Sequence, residues 1–288
     1  MSEKKAKAVL VISTVANVAL MAMKLSVGFL AHSRALVADG INSTLDIFFS
    51  VMILLSFRWA SKPADKDHPY GHGNIEVLVA FIAALIIVAT GGVIIYDGIR
   101  SAINPALEAP GMLALIAEGV TIASKLFLYI YATSVAKRFR SPAVSVQAAD
   151  HRSDIMATSA AVVSIFLARI GIKFFDPVGA AIVGSFIIWT GIRLIKENIH
   201  VLIETRPEDK FFAKVEEALS AVKEVRKVYG LRAHPVGTYF FLEITVSVNG
   251  NLTVKKGHDI AEQVRLRLME REQTIKDVIV HVEPEEHR

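Results

Sequence analysis

Six apolar runs, at about residues 7–31, 34–59, 75–100, 111–136, 142–170 and 175–199, fill the chain up to its last third. Each is bounded by charge, Gly or Pro, and each reaches the roughly 20 residues that a helix needs to cross a hydrocarbon core. In lipid every backbone N–H and C=O has to be bonded within its own segment, so a chain of this kind folds as a helix bundle. A hydrophobic content of 53% and a mean hydropathy of +0.45 are too high for a soluble domain with an ordinary charged surface. The first run follows Lys4, Lys5 and Lys7 and is far longer than a signal-peptide core, so it is expected to be a retained helix.

An even number of spans puts both termini on one side. The short segments on that side hold Lys4, Lys5 and Lys7, then Arg58, Lys62 and Lys66, then Lys137, Arg138 and Arg140. The opposite loops hold only Arg34, Arg100, Arg169 and Lys173. The bias places both termini in the cytoplasm. These basic residues are topology signals, without the interleaved aromatics of a nucleic-acid surface, so no nucleic-acid partner is expected despite a pI near 9.2.

From residue 205 the pattern changes to mixed charged and apolar residues, which divides the chain into a membrane domain, 1–204, and a cytoplasmic domain, 205–288. Lys210–Val222 reads as an amphipathic helix, Val225–Ala233 and Tyr239–Val248 as strands, Thr253–Glu270 as a second helix and Asp277–Val282 as a last strand. That α-β-β-α-β order suits a small α+β sheet with its helices on one face.

Two of the spans are not uniformly apolar. The second carries Asp39, Asn42, Ser43 and Asp46 at i, i+3, i+4 and i+7, one face of a helix. The fifth repeats the device with Gln147, Asp150 and Asp154. An ionised side chain at mid-membrane costs at least about 2.5–3.5 kcal/mol, so these carboxylates call for a cation, a proton or a water-filled cavity. If the faces meet, Asn42, Asp46, Asp150 and Asp154 offer four oxygen donors to one divalent ion. The alternative is helix packing, with polar residues as interhelical glue and Arg152 pairing with the aspartates. Asp39 is open between a structural bond and a proton-linked role, and Ser43 is expected to pack. Cysteine is absent, which removes any thiolate site.

The sequences Ala38-Asp39-x-x-Asn42-Ser43-x-x-Asp46 and Asp150-x-x-Ser153-Asp154 resemble the signatures of the cation diffusion facilitator family. Pro63-x-Asp65-x-x-His68-Pro-Tyr-Gly-His72-Gly-Asn-x-Glu76 resembles that family's cytoplasmic His-rich segment, and His281-x-Glu283-Pro284 its C-terminal ending. The resemblance covers essentially the whole chain. It implies a homodimer of six-helix protomers with ferredoxin-like cytoplasmic domains, set in the lipid bilayer of the cell (inner) membrane and exporting divalent metal in exchange for protons.

Where zinc-carrying members of that family usually have His or Asp, this chain has Asn42, and where they usually have His it has Asp150. A site of carboxylate and amide oxygens suits harder ions, so Mn2+ is expected, with Fe2+, Zn2+ and Co2+ as alternatives. His151 stands one position round the helix from Asp150, about 100° away, and is expected to face elsewhere. Asp65, His68 and His72 have the residue types and spacing to close on one cation from a short loop, the alternative being an idle exposed loop. Asn74 replaces the basic residue that many relatives have before the Glu. His258, His281 and Glu283 match positions where some relatives bind regulatory metal, but Tyr229 and Thr245 stand where metal-binding relatives often have His, so a full binuclear site is not expected there. Glu285, Glu286 and His287 read as a solvated tail.

The chain carries no HExxH helix for a metal-dependent hydrolase and no G-x-x-x-x-G-K loop for an ATP-driven pump, so a secondary transporter is expected rather than an enzyme. A non-transporting metal sensor or partner subunit on the same scaffold is the remaining alternative.

Overall fold

The computed structural model describes residues 2–103, 108–139 and 142–285; Arg140, Glu286 and His287 lie outside them. Six long helices come first: α1 (Ser2–Leu30), α2 (Arg34–Ala60), α3 (Asn74–Ala102), α4 (Met112–Phe139), α5 (Pro142–Arg169) and α6 (Phe175–Leu202). Each expected run lies on one of them. Five are long and apolar enough to cross a membrane; α5 falls below that standard. Its first half carries Gln147, Asp150, His151, Arg152, Ser153 and Asp154 in close succession. Packing divides the chain into two compact units, Met1–Met52 with Ile82–Leu194, and Ile53–Phe81 with Ile195–Arg288.

The core of the first unit is made largely of small side chains: Ala31, Ala35 and Ala38 meet Ala114 and Ala117 of α4, Ala161 of α5 and Ala180 of α6, with Leu36, Ile165, Val183 and Ile187 filling between them. Lipid tails are as apolar as leucine, so helices in a membrane gain by close approach rather than by escape from water. The α3–α6 seam takes this furthest. A Cβ added at Gly91 would stand 2.9 Å from the Gly184 carbonyl oxygen, and one at Gly98 would stand 2.7 Å from that of Pro177. Large apolar side chains such as Val15, Phe29, Val93, Tyr96, Phe127 and Ile130 point outward instead.

At one end of this unit the start of α2 is tied to α6. Ser33 Oγ accepts from the Leu36 N–H at 3.2 Å, closing the first turn, and donates to Asp176 Oδ1 at 2.6 Å. Asp176 Oδ2 accepts from the Arg34 N–H at 2.7 Å. Two of the otherwise orphaned N–H groups of α2 are satisfied in this way.

In the second unit, α7 (Asp209–Ser220) and α8 (Val254–Arg271) flank β1 (Lys227–Val236), β2 (Tyr239–Val248) and β3 (Ile275–Pro284). The sheet order is β1-β2-β3, with β1 antiparallel and β3 parallel to the central β2. Leu242, Ile244 and Val246 alternate along β2 and bury one face. Val215 and Leu219 of α7 and Val264 and Leu268 of α8 close on that face, each pair four residues apart on its helix. The domain is a small α+β sheet with two helices closing on one face, as its element order leads one to expect. Glu285, expected to belong to a solvated tail, is tied to the sheet through its N–H, which donates to the Val248 carbonyl at 2.7 Å.

Arg265 fastens α8 to β3, donating from Nε to Asp277 Oδ1 at 2.7 Å and from a terminal nitrogen to Glu262 Oε1 at 2.9 Å. Burial pushes the Asp277 carboxyl up, but the bonds from Arg265 and the Val278 N–H, together with the Arg265 charge, outweigh it and hold the group below its ordinary value. A lowered carboxyl stabilises the fold above its unfolded value and ceases to do so as pH falls through the folded one.

Two expectations follow from this packing. Replacing Gly184 by Leu separates α3 from α6 and lowers the melting temperature of the purified protein in detergent, whereas the same change at Gly119, which has open space around it, does not. Asp277→Asn weakens the α8–β3 contact by less than about 1 kcal/mol, because both partners are partly exposed. Amide exchange in β3 should report that loss at neutral pH, and the difference between variant and parent should vanish well below pH 3.8.

Candidate metal centre

Polar side chains inside the first unit form a ladder between α1, α2, α4 and α5. On α1 the rungs are Ser13, Asn17 and Lys24; on α4, Glu118 and Lys125; on α5, His151, Asp154 and Thr158. At the first rung Ser13 Oγ meets His151 Nε2 at 2.9 Å, and the imidazole is fully buried. His151 therefore faces α1, as its place on the helix predicts, and is turned from its neighbour Asp150, whose side chain is exposed.

The second rung is Lys125, whose ammonium bonds Asp154 Oδ2 and donates to Asn17 Oδ1, the latter at 2.8 Å. Asp46 and Asp150 lie within electrostatic range of Asp154 and of Lys125. The structure thus brings Asp46 of α2 toward Asp150 and Asp154 of α5, with Asn42 half-buried one turn from Asp46. Their oxygen atoms are not drawn together as tightly as a closed coordination shell. Among the described residues, the only three acidic or imidazole groups with ligand atoms all within 4.8 Å of one another are elsewhere. The suggested pairing of Asp154 with Arg152 is corrected: Arg152 is exposed, and Lys125 takes the place assigned to it.

At the third rung Lys24 bonds Asp39 Oδ2 at 2.6 Å, and both side chains are 1% exposed. Thr158 Oγ1 donates to the same Asp39 oxygen at 2.9 Å, and Lys24 Nζ reaches Ser43 Oγ at 3.3 Å. Glu118 is fully buried and faces both Asp39 and Lys24. Asp39 accordingly holds α1, α2 and α5 together, and Ser43 bonds rather than merely packs.

Lys24, Glu118 and Lys125 were not singled out in the sequence. They carried a signal nonetheless: each is an ionisable residue in the middle of an apolar run, and the two lysines complement the surplus of carboxylates on α2 and α5.

The compact group of ligands lies in the second unit, on the loop between α2 and α3. It is Asp65, His68 and His72. Asp65 Oδ1 accepts from the backbone N–H groups of His68 at 2.7 Å and Asp67 at 3.0 Å, which shapes the loop. The His68 N–H bond, with the two imidazoles adding to it, holds the Asp65 carboxyl below its ordinary value. His72 Nε2 lies 3.4 Å from Asp65 Oδ2, while its Nδ1 is 3.3 Å from the Pro63 carbonyl. His72 Nε2 is thereby turned to the Asp65 carboxylate, the side from which both residues would share a cation.

This loop is joined to the β1–β2 turn. The Gly237 N–H donates to Asn74 Oδ1 at 2.9 Å, and Tyr70 packs edge-on against Phe241 with ring centroids 5.1 Å apart. A Cβ at Gly237 would stand 2.9 Å from the Gly73 carbonyl oxygen. His234 of β1 packs on Tyr70 and pairs with Glu204 at 3.0 Å. Asn74, which departs from the basic residue of many relatives, therefore has a bond of its own to make.

His281 and Glu283 on β3 are exposed and 3.5 Å apart. His281 stands in a cross-strand row with Thr245 and Tyr229, and His258 is exposed on α8. The three ligand-type residues do not assemble into a close group.

Residues 10–203 match the cation efflux transmembrane domain, and residues 207–285 match the cytoplasmic domain of cation efflux proteins. The chain belongs to the cation efflux family. It is 31% identical to the manganese efflux system protein MneP of Bacillus subtilis, over 98% of this chain and 97% of that one. The magnetosome protein MamB of Paramagnetospirillum magneticum is 28% identical over 93% of this chain and 91% of its own length. Among solved structures, the metal-bound C-terminal domain of the CzcD transporter from Thermotoga maritima is 30% identical, covering 28% of this chain and 93% of that one, with a TM-score of 0.27. Members of this family are multi-pass membrane transporters of divalent cations.

The third rung makes a prediction that does not depend on transport. Lys24→Met leaves the buried Asp39 carboxylate without its cation and should destabilise the bundle by about 3–5 kcal/mol. A thermal melt in detergent measures this, and adding Asp39→Asn to Lys24→Met should recover part of the loss.

Proposed function

We propose that the chain exports Mn2+ from the cytoplasm in exchange for protons, through a site formed by Asn42, Asp46, Asp150 and Asp154. One observation carries the reading: the aspartates of α2 and α5 converge in electrostatic range, while the imidazole of His151 is turned to α1, where its Nε2 meets Ser13 Oγ. What remains for a cation is oxygen from carboxylates and an amide, which favours a hard ion over zinc. The manganese efflux relatives support the same choice. Fe2+, Zn2+ and Co2+ are the competing cargoes. Carboxylates that hold a divalent ion in one state need neutralising in the other, and protons from outside the cell serve that purpose.

In this reading residues 1–204 form the transport domain and residues 205–288 the cytoplasmic domain of a homodimer in the cell membrane, with both termini inside. Asp65, His68 and His72 take up metal at the cytoplasmic loop. His258, His281 and Glu283 bind it weakly at most, since nothing gathers them.

The test is uptake of Mn2+, Fe2+, Zn2+ and Co2+ into proteoliposomes under an imposed pH gradient, with Asp46→Ala/Asp154→Ala as control. Manganese flux driven by the gradient and abolished in the double variant is expected. A preference for zinc overturns the choice of cargo, a flux indifferent to the gradient overturns the exchange, and no flux for any ion supports a sensor or partner subunit.

A further inference from the structure

Lys125 is the one member of the ladder that touches a proposed metal ligand directly. Its ammonium bonds Asp154 and lies within electrostatic range of Asp46 and Asp150, so it faces all three carboxylates of the transport site. Its side chain is 3% exposed, and its second partner is a neutral one, Asn17 Oδ1 at 2.8 Å. Lys24 provides the contrast. It is bound to Asp39, which Thr158 also holds, and none of its bonded partners is a residue of the proposed site.

We propose that Lys125 is a tethered substitute for the transported cation. In the metal-free site its ammonium neutralises Asp154 and also bonds Asn17; an arriving divalent ion takes that carboxylate and leaves the ammonium on Asn17 alone, and renewal of the Asp154 bond helps expel the ion. Two cations cannot share one carboxylate oxygen at contact distance without strong repulsion, so metal and ammonium compete for Asp154. Because the lysine is attached to α4, the competitor is always present at high effective concentration. The Asn17 bond, kept when Asp154 is lost, makes displacement inexpensive: an amide oxygen holds the ammonium without adding another charge to the site. No change in the protonation of Lys125 is involved. The inference rests on the reading that Asp154 holds the transported ion.

Competition and simple structural support predict opposite signs. Equilibrium binding of Mn2+ to the purified full-length protein in detergent is measured for Lys125→Met, Asn17→Ala and the double variant, with Asp154→Ala as reference. Removing the competitor should tighten Mn2+ binding at least tenfold while lowering maximal uptake into proteoliposomes, since release loses its driving partner. Removing the Asn17 bond should weaken binding several-fold, and Asn17→Ala should have no effect once Lys125 is gone, as a double-mutant cycle requires of a shared pathway. Where Lys125→Met does not fold, Lys125→Gln, which keeps a donor for Asn17, carries the test with the same expected sign. Binding that depends on Asp154 but is unchanged or weakened without Lys125 overturns the proposal and leaves the metal site standing. Binding indifferent to Asp154→Ala overturns the site itself.

Discussion

A carboxylate buried among apolar helices must have a positive partner, and in this molecule that requirement organises the bundle. Lys24 and Lys125 reach from α1 and α4 to aspartates on α2 and α5. Since charges in a low-dielectric medium interact strongly and are expensive to leave alone, these pairs decide which helix faces inward and in what register. Around these pairs the helices pack through Ala31, Ala35, Ala38, Ala161 and Ala180, with Leu36, Ile165, Val183 and Ile187 filling between them.

The two pairs differ in what surrounds them. Asp39 is enclosed, with Lys24, Thr158 and Glu118 around it, and the whole group is buried. Asp154 is partly open at 16% exposure and has the exposed Asp46 and Asp150 nearby. A closed network makes a fixed joint, whereas an open one with more acid than base has capacity for a further cation. The same sequence device, an aspartate face on an apolar helix, is thus scaffold at one level of the bundle and, in the proposed reading, the metal site at the next.

Much of this was legible from residue order. The six helices, the α-β-β-α-β domain and the turn of His151 away from Asp150 all follow from periodicity and the cost of charge in lipid. What periodicity could not give was partnership between helices. Asp154 has Arg152 two residues away, and that pair stood as the alternative to an ion site, but residues at i and i+2 do not face each other on a helix. The true partner is Lys125, on another helix, and only packing reveals it. Glu118 was obscured for the same reason: a single acid in an apolar run declares itself functional or structural only through its neighbours. Asn74 was read as a missing ion-pair residue, when its amide has a backbone N–H to accept from across the chain.

The joint between the α2–α3 loop and the β1–β2 turn has a mechanical meaning. Gly73 and Gly237 approach so closely that no side chain fits between them, and the Asn74 bond and the Tyr70–Phe241 contact lie on either side. A loop clamped in this manner is stiff where loops are ordinarily compliant. The imidazoles of His68 and His72 hang from that clamp, so any pull that draws them inward with Asp65 is transmitted as a strain on the hairpin and on the sheet behind it. The joint therefore couples the position of the two imidazoles to the β1–β2 hairpin.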